Sequence, residues 1–138
     1  MTPGSIILDE NFKFHDGEKG KKFLIVLGSH GGNLLVSKTT SKGRRYLLDF
    51  GCQAQHRFPN FHLVKGCCCL ELPTWVCLNE FNIFNYKELL AKHYKQEIFK
   101  FGELTQDIYK RLADCAIDCE DISELQANII RESLKGSH

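Results

Sequence analysis

The feature that most constrains the fold is a pair of apolar runs joined by a glycine-rich turn. Residues 22–27 read Lys-Phe-Leu-Ile-Val-Leu, and residues 34–39 read Leu-Leu-Val-Ser-Lys-Thr. Between them, Ser29–Asn33 contains two glycines and an asparagine, which adopt positive φ at low energetic cost. The pattern therefore predicts an antiparallel β-hairpin with strands over 22–27 and 34–39.

Other strand patterns flank this hairpin, and helical patterns dominate the second half of the chain. Strands are predicted at Ser5–Leu8, Tyr46–Phe50, Leu63–Val64, Cys67–Leu72, Trp75–Phe81 and Glu97–Phe101. Helices are predicted over Tyr86–His93, after Thr105 and over Ile122–Leu134, with Asn85 and Thr105 as N-caps. The stretch 51–60 is predicted to be a loop because it contains Pro59. This order indicates an α+β domain with an antiparallel sheet, most plausibly curled into a barrel, and C-terminal helices.

Composition places the chain among ordinary globular domains. Its 138 residues are 43% hydrophobic and 25% charged, which is enough apolar material for one core. We expect a single domain over 1–135, with Gly136–His138 as a probable expression-tag remnant. No apolar run reaches the roughly 18 residues that span a bilayer, and no signal-peptide pattern opens the chain. The expected location is therefore the cytoplasm, with no membrane association.

Charge is distributed unevenly although the net charge is only +1. Between His15 and Arg45 there are seven lysines and arginines but only two acids, Asp16 and Glu18. Between Glu103 and Glu132 there are eight acids against three cations. The basic stretch suits a polyanion, and the acidic end suits either solvent or a basic partner.

The seven cysteines do not form an obvious framework. Their number is odd and Cys67, Cys68 and Cys69 are consecutive, so we expect mostly reduced thiols that pack as small apolar groups. Cys52, His56 and His62 lie near them in sequence, but the spacing matches no standard zinc pattern. No metal site is predicted.

Several short motifs occur in a serial order that resembles a known family. Pro3-Gly4 precedes the first strand, Gly17-Glu18 and basic residues open the second, and Thr39-Thr40-Ser41-Lys42-Gly43 ends the third. Leu78-Asn79-Glu80 and Gly102-Glu103-Leu104-Thr105 follow. This order resembles the MazF/PemK-type toxins of bacterial toxin–antitoxin systems, over roughly Pro3–Ala116.

The resemblance implies an SH3-like barrel and a metal-independent, sequence-selective endoribonuclease without a cofactor. It also implies single-stranded RNA as the substrate, a cognate antitoxin as partner and a homodimer. The catalytic candidates carried over from it, or standing beside the carried positions, are Glu18, Lys21, Lys22, Thr39 and Thr40. The RNA-binding candidates are His15, Lys19, Lys38, Lys42, Arg44 and Arg45. Lys22 stands where the family has an arginine, Phe23 where it has a proline, and Glu18 lies one residue nearer the strand.

These residue types suit cleavage of RNA without a metal. A carboxylate such as Glu18 would take the proton of the ribose 2′-hydroxyl as that oxygen attacks phosphorus. Lys21 or Lys22 would offset the growing negative charge or protonate the leaving 5′-oxygen. A threonine hydroxyl would hold a non-bridging oxygen in place. The expected products carry 2′,3′-cyclic phosphate and 5′-hydroxyl ends.

Two alternatives use the same residues differently. In one, the chain is a non-catalytic module whose barrel binds a protein or a nucleic acid. In the other, the fold targets a different cellular machine, as the gyrase-poisoning relatives of this fold do. The charged loops would then be ordinary solvated surface or part of a docking face.

Overall fold

The fold is α+β, with one antiparallel sheet of eight strands and three helices in the part of the chain that the structure describes. The structure is a computed structural model that describes residues 2–14 and 16–135, so His15 and the C-terminal Gly136–His138 lie outside the described residues. The strands are β1 Ser5–Lys13, β2 Lys19–His30, β3 Asn33–Thr40, β4 Gly51–Gln53, β5 Asn60–Leu63, β6 Thr74–Cys77, β7 Asn82–Asn85 and β8 Ile98–Glu103. The helices are α1 Tyr86–Tyr94, α2 Gln106–Ile117 and α3 Glu124–Lys135.

The β2–β3 hairpin forms the centre of the sheet. Gly31 and Gly32 make its turn with φ of 60° and 82°, which confirms the predicted hairpin. The strand order is β4-β5-β6-β3-β2-β1-β8, and β7 pairs with the first half of β3. Because β4 and β8 end this order, the sheet is not closed among the described strands.

Both faces of the hairpin are buried. Ile25, Leu27 and Leu35 belong to a large apolar cluster that α2 and α3 cover. The intervening residues of the same strands belong to a second cluster, which includes Leu89 of α1. We call these two sides the α2–α3 face and the α1 face, and alternation along each strand decides which side chain goes to which face.

The predicted helix starts are confirmed. Asn85 Oδ1 accepts the Glu88 backbone N–H at 2.8 Å, and Thr105 Oγ1 accepts that of Ile108 at 3.3 Å. Leu125 is the exception to the apolar stripe of α3, since it is 65% exposed while Ile129 and Ile130 are buried. No helix within the described ranges is long and apolar enough to cross a membrane.

Two strand predictions are wrong. Tyr46–Phe50 lies in the loop between β3 and β4, because the Tyr46 ring stacks on Trp75 instead of continuing a ladder. Cys67–Leu72 also lies in a loop, which follows a turn at Gly66 with φ of 85°. The predicted loop over 51–60, in contrast, contains β4.

One disulfide was not predicted. Cys52 of β4 is bonded to Cys115 of α2, and their Cα atoms lie 5.5 Å apart despite 63 residues of sequence separation. The five other cysteines are free thiols, in line with the expectation that most are reduced. Packing of α2 against β4 creates this pairing, and no local spacing in the sequence announces it.

An ion pair anchors α1 to strand β1 of the sheet. The Lys92 ammonium donates to the carboxylate of Asp9, whose side chain is fully buried. Lys92 also lies over the Phe84 ring, 5.1 Å from its centroid. Within residues 2–14 and 16–135, Lys92 is the cation paired with this carboxylate, which also accepts the Asn11 backbone N–H at 3.0 Å.

We expect Lys92→Ala to lower the free energy of unfolding by about 3 kcal/mol, because it leaves the Asp9 charge buried and uncompensated. Arg111→Ala is the matched control. It removes a pair with Asp107 in which both side chains are mostly exposed, and should cost about 0.5 kcal/mol or less. Urea denaturation of both variants measures the difference, and equal losses would contradict the anchoring role.

Candidate active site

A cavity of about 510 Å³ opens where β2 and β3 reach the same end of the sheet. Four of the five catalytic candidates line it, namely Lys21, Lys22, Thr39 and Thr40. The remaining lining residues are Phe23, Ser41, Leu70, Glu71, Leu72, Thr74 and Phe101. The cavity lining thus combines two lysines, several hydroxyl-bearing residues and one acidic residue with an apolar wall.

Alternation along the strands divides the four candidates between the two faces of the sheet. Thr39 and Lys21 share the parity of Ile25 and point toward the α2–α3 face. Lys22 and Thr40 share the parity of the residues on the α1 face. The cavity therefore sits at the strand ends, where residues of both parities reach its lining.

The two threonines have different hydrogen-bonding duties. Thr39 is 4% exposed, and its hydroxyl donates to the Phe23 carbonyl at 2.9 Å, so that proton links two strands. Thr40 Oγ1 instead accepts the Lys42 backbone N–H at 3.1 Å, which uses a lone pair and not the proton. Of the pair, Thr40 is the hydroxyl suited to donate to a ligand oxygen.

The cavity lining does not include Glu18. This exposed residue precedes β2, and its backbone N–H donates to Asp16 Oδ1 at 3.0 Å. Lys22 lies four residue steps further along the chain, which amounts to about 13 Å at the usual rise of an extended strand. A catalytic role for Glu18 stays a prediction.

The carboxylate that lines the cavity is Glu71, which sequence reasoning missed. It lies in the loop over 64–73, between the buried Leu70 and the exposed Leu72. This loop rests on β8 at Gly102, where an added Cβ would lie 2.3 Å from Cys69 Sγ. The only sequence signal was an acidic residue before Pro73, and assigning that stretch to a strand hid it.

Cations crowd the α1 face beside the cavity. Burial lowers the pKa of Lys22, the Cys77 thiol opposes this shift, and the charges of Lys38 and Lys42 add to it. Lys38 also pairs with Glu80 at 3.3 Å. Lys22 therefore loses its proton more easily than an ordinary exposed lysine, because it is partly buried and lies beside other cations.

The thiols near the site are not activated nucleophiles. Burial raises the pKa of Cys77, although a hydrogen bond from Tyr46 and the nearby cations oppose that shift. Burial also raises the pKa of Cys67 to about 11, and that of Cys69 rises for the same reason. These groups stay protonated near neutral pH and are therefore poor nucleophiles. The reactive groups of the cavity are then its oxygen and nitrogen groups.

An aromatic stack supports the basic loop over 41–50. Trp75 lies between His62 and Tyr46, with ring centroids 4.3 and 5.8 Å away, and its Nε1 donates to the Leu47 carbonyl at 3.0 Å. The Arg45 guanidinium lies 4.9 Å from the centroid of the Phe58 ring. The stack fixes the loop that carries three of the RNA-binding candidates.

The RNA-binding candidates do not form one cluster. Lys38, Lys42 and Arg45 surround Lys22 and Cys77, according to the charges that act on those two groups. Arg44 is exposed on the same loop. Lys19 begins β2 opposite Lys13, three residues from Lys22. His15 lies outside the described residues.

Comparison with known proteins adds no identification. No protein-family model matches the chain, and no curated protein matches its sequence. The cavity and its neighbouring cations are therefore the features of this chain that bear on function.

Gly43 lets the basic loop lie flat against Trp75. An added Cβ there would lie 2.1 Å from Cη2 of the indole ring, which is shorter than any contact the packing can absorb without movement. We expect Gly43→Ala to displace the loop and expose Trp75, the chain's single tryptophan. The measurement is a red shift of tryptophan emission in the folded protein. Ser41→Ala, in the same loop and exposed, is the control that should leave the emission unchanged, and an unshifted Gly43→Ala spectrum would contradict this packing.

Proposed function

We propose that this protein is a metal-independent endoribonuclease that cleaves single-stranded RNA, and that it acts as the toxin of a toxin–antitoxin pair. The observation that carries the proposal is the cavity at the paired strand ends, which gathers two lysines, the Thr40 hydroxyl and a carboxylate. Its volume of about 510 Å³ lies in the range of small-ligand sites. This composition matches the needs of phosphodiester cleavage by the neighbouring 2′-hydroxyl.

In the proposed reaction, the Glu71 carboxylate accepts the 2′-hydroxyl proton while that oxygen attacks phosphorus. The Lys21 ammonium offsets the negative charge that grows on the non-bridging oxygens. The Thr40 hydroxyl donates a hydrogen bond to one of those oxygens and orients it.

The bond to the 5′-oxygen then breaks, and that oxygen takes a proton from Lys22. A lowered pKa makes an ammonium group a better proton donor, which favours Lys22 for this step. The products are a 2′,3′-cyclic phosphate and a 5′-hydroxyl. DNA lacks the nucleophile and is not cleaved.

The apolar wall supports RNA rather than a small anion as the ligand. Phe23 and Phe101 lie with ring centroids 4.9 Å apart, and the exposed Leu72 also lines the cavity. An unstacked base can pack on such a surface, whereas a duplex base is shielded. The cations of the α1 face would contact phosphates further along the strand.

We also propose that the fold is a diverged, open form of the SH3-like barrel of MazF/PemK-type toxins, acting as a homodimer that a cognate antitoxin neutralises. The central hairpin, the Thr-Thr strand end and the two C-terminal helices support this relation. The competing class, a binding module without catalysis, would use the same cavity to hold RNA intact.

Replacing Glu71 tests the proposed base. We expect Glu71→Gln to slow cleavage of a defined single-stranded RNA by about 100-fold or more in the presence of EDTA, because general-base assistance is lost. Glu18→Gln is the matched control, since it removes the same charge from outside the cavity lining and should stay within a few-fold of the parent. The measurement is the initial rate of 5′-hydroxyl product formation.

Each other result has a definite meaning. A slow Glu18→Gln with a normal Glu71→Gln would return the role of base to residue 18. RNA that stays intact with the parent protein, while binding is retained, would exclude the enzyme and favour the binding module.

Lys22 should give RNA binding a distinctive pH dependence. Protonated Lys22 attracts phosphate, so affinity should be constant at low pH and fall as pH rises through its pKa, which lies below the ordinary 10.5. A 2′-O-methyl RNA, which cannot react, allows this to be measured by fluorescence anisotropy at constant salt. Lys22→Arg should keep its affinity to higher pH because the guanidinium does not deprotonate there. Parallel curves for the two proteins would show that Lys22 does not contact RNA.

A further inference from the structure

The Cys52–Cys115 disulfide runs from an open cavity into the protein core. Cys52 is exposed on the edge strand β4, whereas Cys115 of α2 is only 2% exposed and belongs to the apolar cluster of the α2–α3 face. The two residues of one bond therefore differ sharply in exposure. We expect a reagent from solvent to reach Cys52 before Cys115.

The cavity beside Cys52 is separate from the one described above. Its volume is about 650 Å³, and its lining includes Gln53, Gln55, His56 and Asp118. Nδ1 of His56 lies 3.0 Å from the Phe58 backbone nitrogen and 3.3 Å from the Phe58 carbonyl oxygen, so the Phe58 backbone holds the ring in place. The cavity thus offers amide groups, an imidazole and a carboxylate within one site.

We propose that Cys52 is a site of thiol–disulfide exchange with a low-molecular-weight peptide thiol. Amides and an imidazole suit the peptide bonds and carboxylates of such a ligand, and Asp118 suits its ammonium group. The volume admits a ligand of that size.

The step balances without an external oxidant. The ligand thiolate attacks Cys52 Sγ and forms a new S–S bond, while the bond from Cys52 to Cys115 breaks. The electron pair goes to Cys115 Sγ, which takes up the proton that the ligand thiol released. A second ligand thiol then attacks the ligand's sulfur in the mixed disulfide, leaves Cys52 as a thiol and departs as the ligand disulfide.

Exchange at Cys52 has a structural consequence for its strand. β4 contributes three residues, pairs only with β5 and lies at the edge of the sheet, so the disulfide is its covalent link to α2. The basic loop over 41–50 ends where β4 begins. Loss of the link should loosen β4 and the end of that loop while the central hairpin stays packed.

The first experiment locates the exchange. The oxidised full-length protein is incubated with reduced glutathione under native conditions, acid-quenched, alkylated with N-ethylmaleimide and mapped by mass spectrometry. The expected result is glutathione on Cys52 and maleimide on Cys115, at a rate proportional to glutathione concentration. Cys52→Ser should abolish the adduct, and Cys69→Ser, which changes an exposed free thiol, should not. Glutathione on Cys115, or reduction only as fast as global unfolding, would overturn the proposal.

The second experiment measures the consequence by hydrogen exchange without RNA. Reduction should lower the protection of the β4 amides by at least about tenfold while the amides of β2 and β3 keep theirs. Cys52→Ser should reproduce the reduced pattern, which separates loss of the bond from any effect of the reductant. Uniform loss of protection, or none, would overturn the link to β4.

An effect on RNA binding rests on the proposed function, whereas the exchange and the loosening of β4 do not. Reduced protein should bind the 2′-O-methyl RNA several-fold more weakly if the loop contributes through Arg45. Unchanged affinity together with loosened β4 would confine the effect of exchange to the strand. Absence of RNA binding in both redox states would contradict the proposed function but would not affect the proposal of thiol exchange at Cys52.

Discussion

Burial of the β2–β3 hairpin on both faces is the constraint on which the rest of this structure depends. Ile25 and Leu27 pack under α2 and α3, while Leu24 and Val26 pack on the opposite side, so neither register nor orientation can change without exposing a core. At the strand ends away from its turn, the hairpin emerges from these two cores, and the polar residues Lys22, Thr39 and Thr40 lie there. The candidate site lies at these strand ends. Alternation there places cations and hydroxyls on the two faces, whereas further along the strands it places apolar side chains on them.

That alternation also explains why the cations beside the cavity do not share one surface. Lys21 and Lys22 are adjacent in sequence but point to opposite faces, so a single ligand atom cannot be held symmetrically by both. An extended polymer that crosses the strand ends meets both lysines in succession. A polyanion therefore suits the arrangement better than an isolated phosphate, and this geometric point is independent of any family resemblance.

Local signals in the sequence predicted the parts of the fold that depend on local physics. Gly31–Gly32 marked the hairpin, and Asn85 and Thr105 marked two helix starts, since turn φ values and capping bonds are set within a few residues. The strand prediction for Tyr46–Phe50 is wrong because the Tyr46 ring stacks on Trp75, which lies 29 positions further along the chain. The disulfide could not be predicted from the sequence either, since the packing of α2 on β4 is what brings residues 52 and 115 together.

The candidate site shows the same division between local and distant causes. Lys22 and Thr40 could be found from the hairpin pattern because register alone brings them to one end. Glu71 lies in a loop that packs closely against β8, because Gly102 has no side chain to collide with Cys69 of that loop. The residues near position 71 in the sequence do not indicate this contact. Glu18, which the family resemblance singled out, precedes the strand and does not line the cavity.

The hydrogen-bond inventory of the cavity limits how it can work. The Thr39 hydroxyl already donates its hydrogen bond to the Phe23 carbonyl. The lysines carry compact charges and lack the planar guanidinium with which an arginine binds a phosphate through two hydrogen bonds. The lysines and the remaining hydroxyls of the lining can stabilise charge but give little directional control over a phosphate. Under the proposed function, orientation of the substrate would come from the apolar wall of Phe23, Leu72 and Phe101, which can pack against a base or ribose. Selectivity would then follow the shape of the base, and the position of the base would set the position of its 2′-hydroxyl.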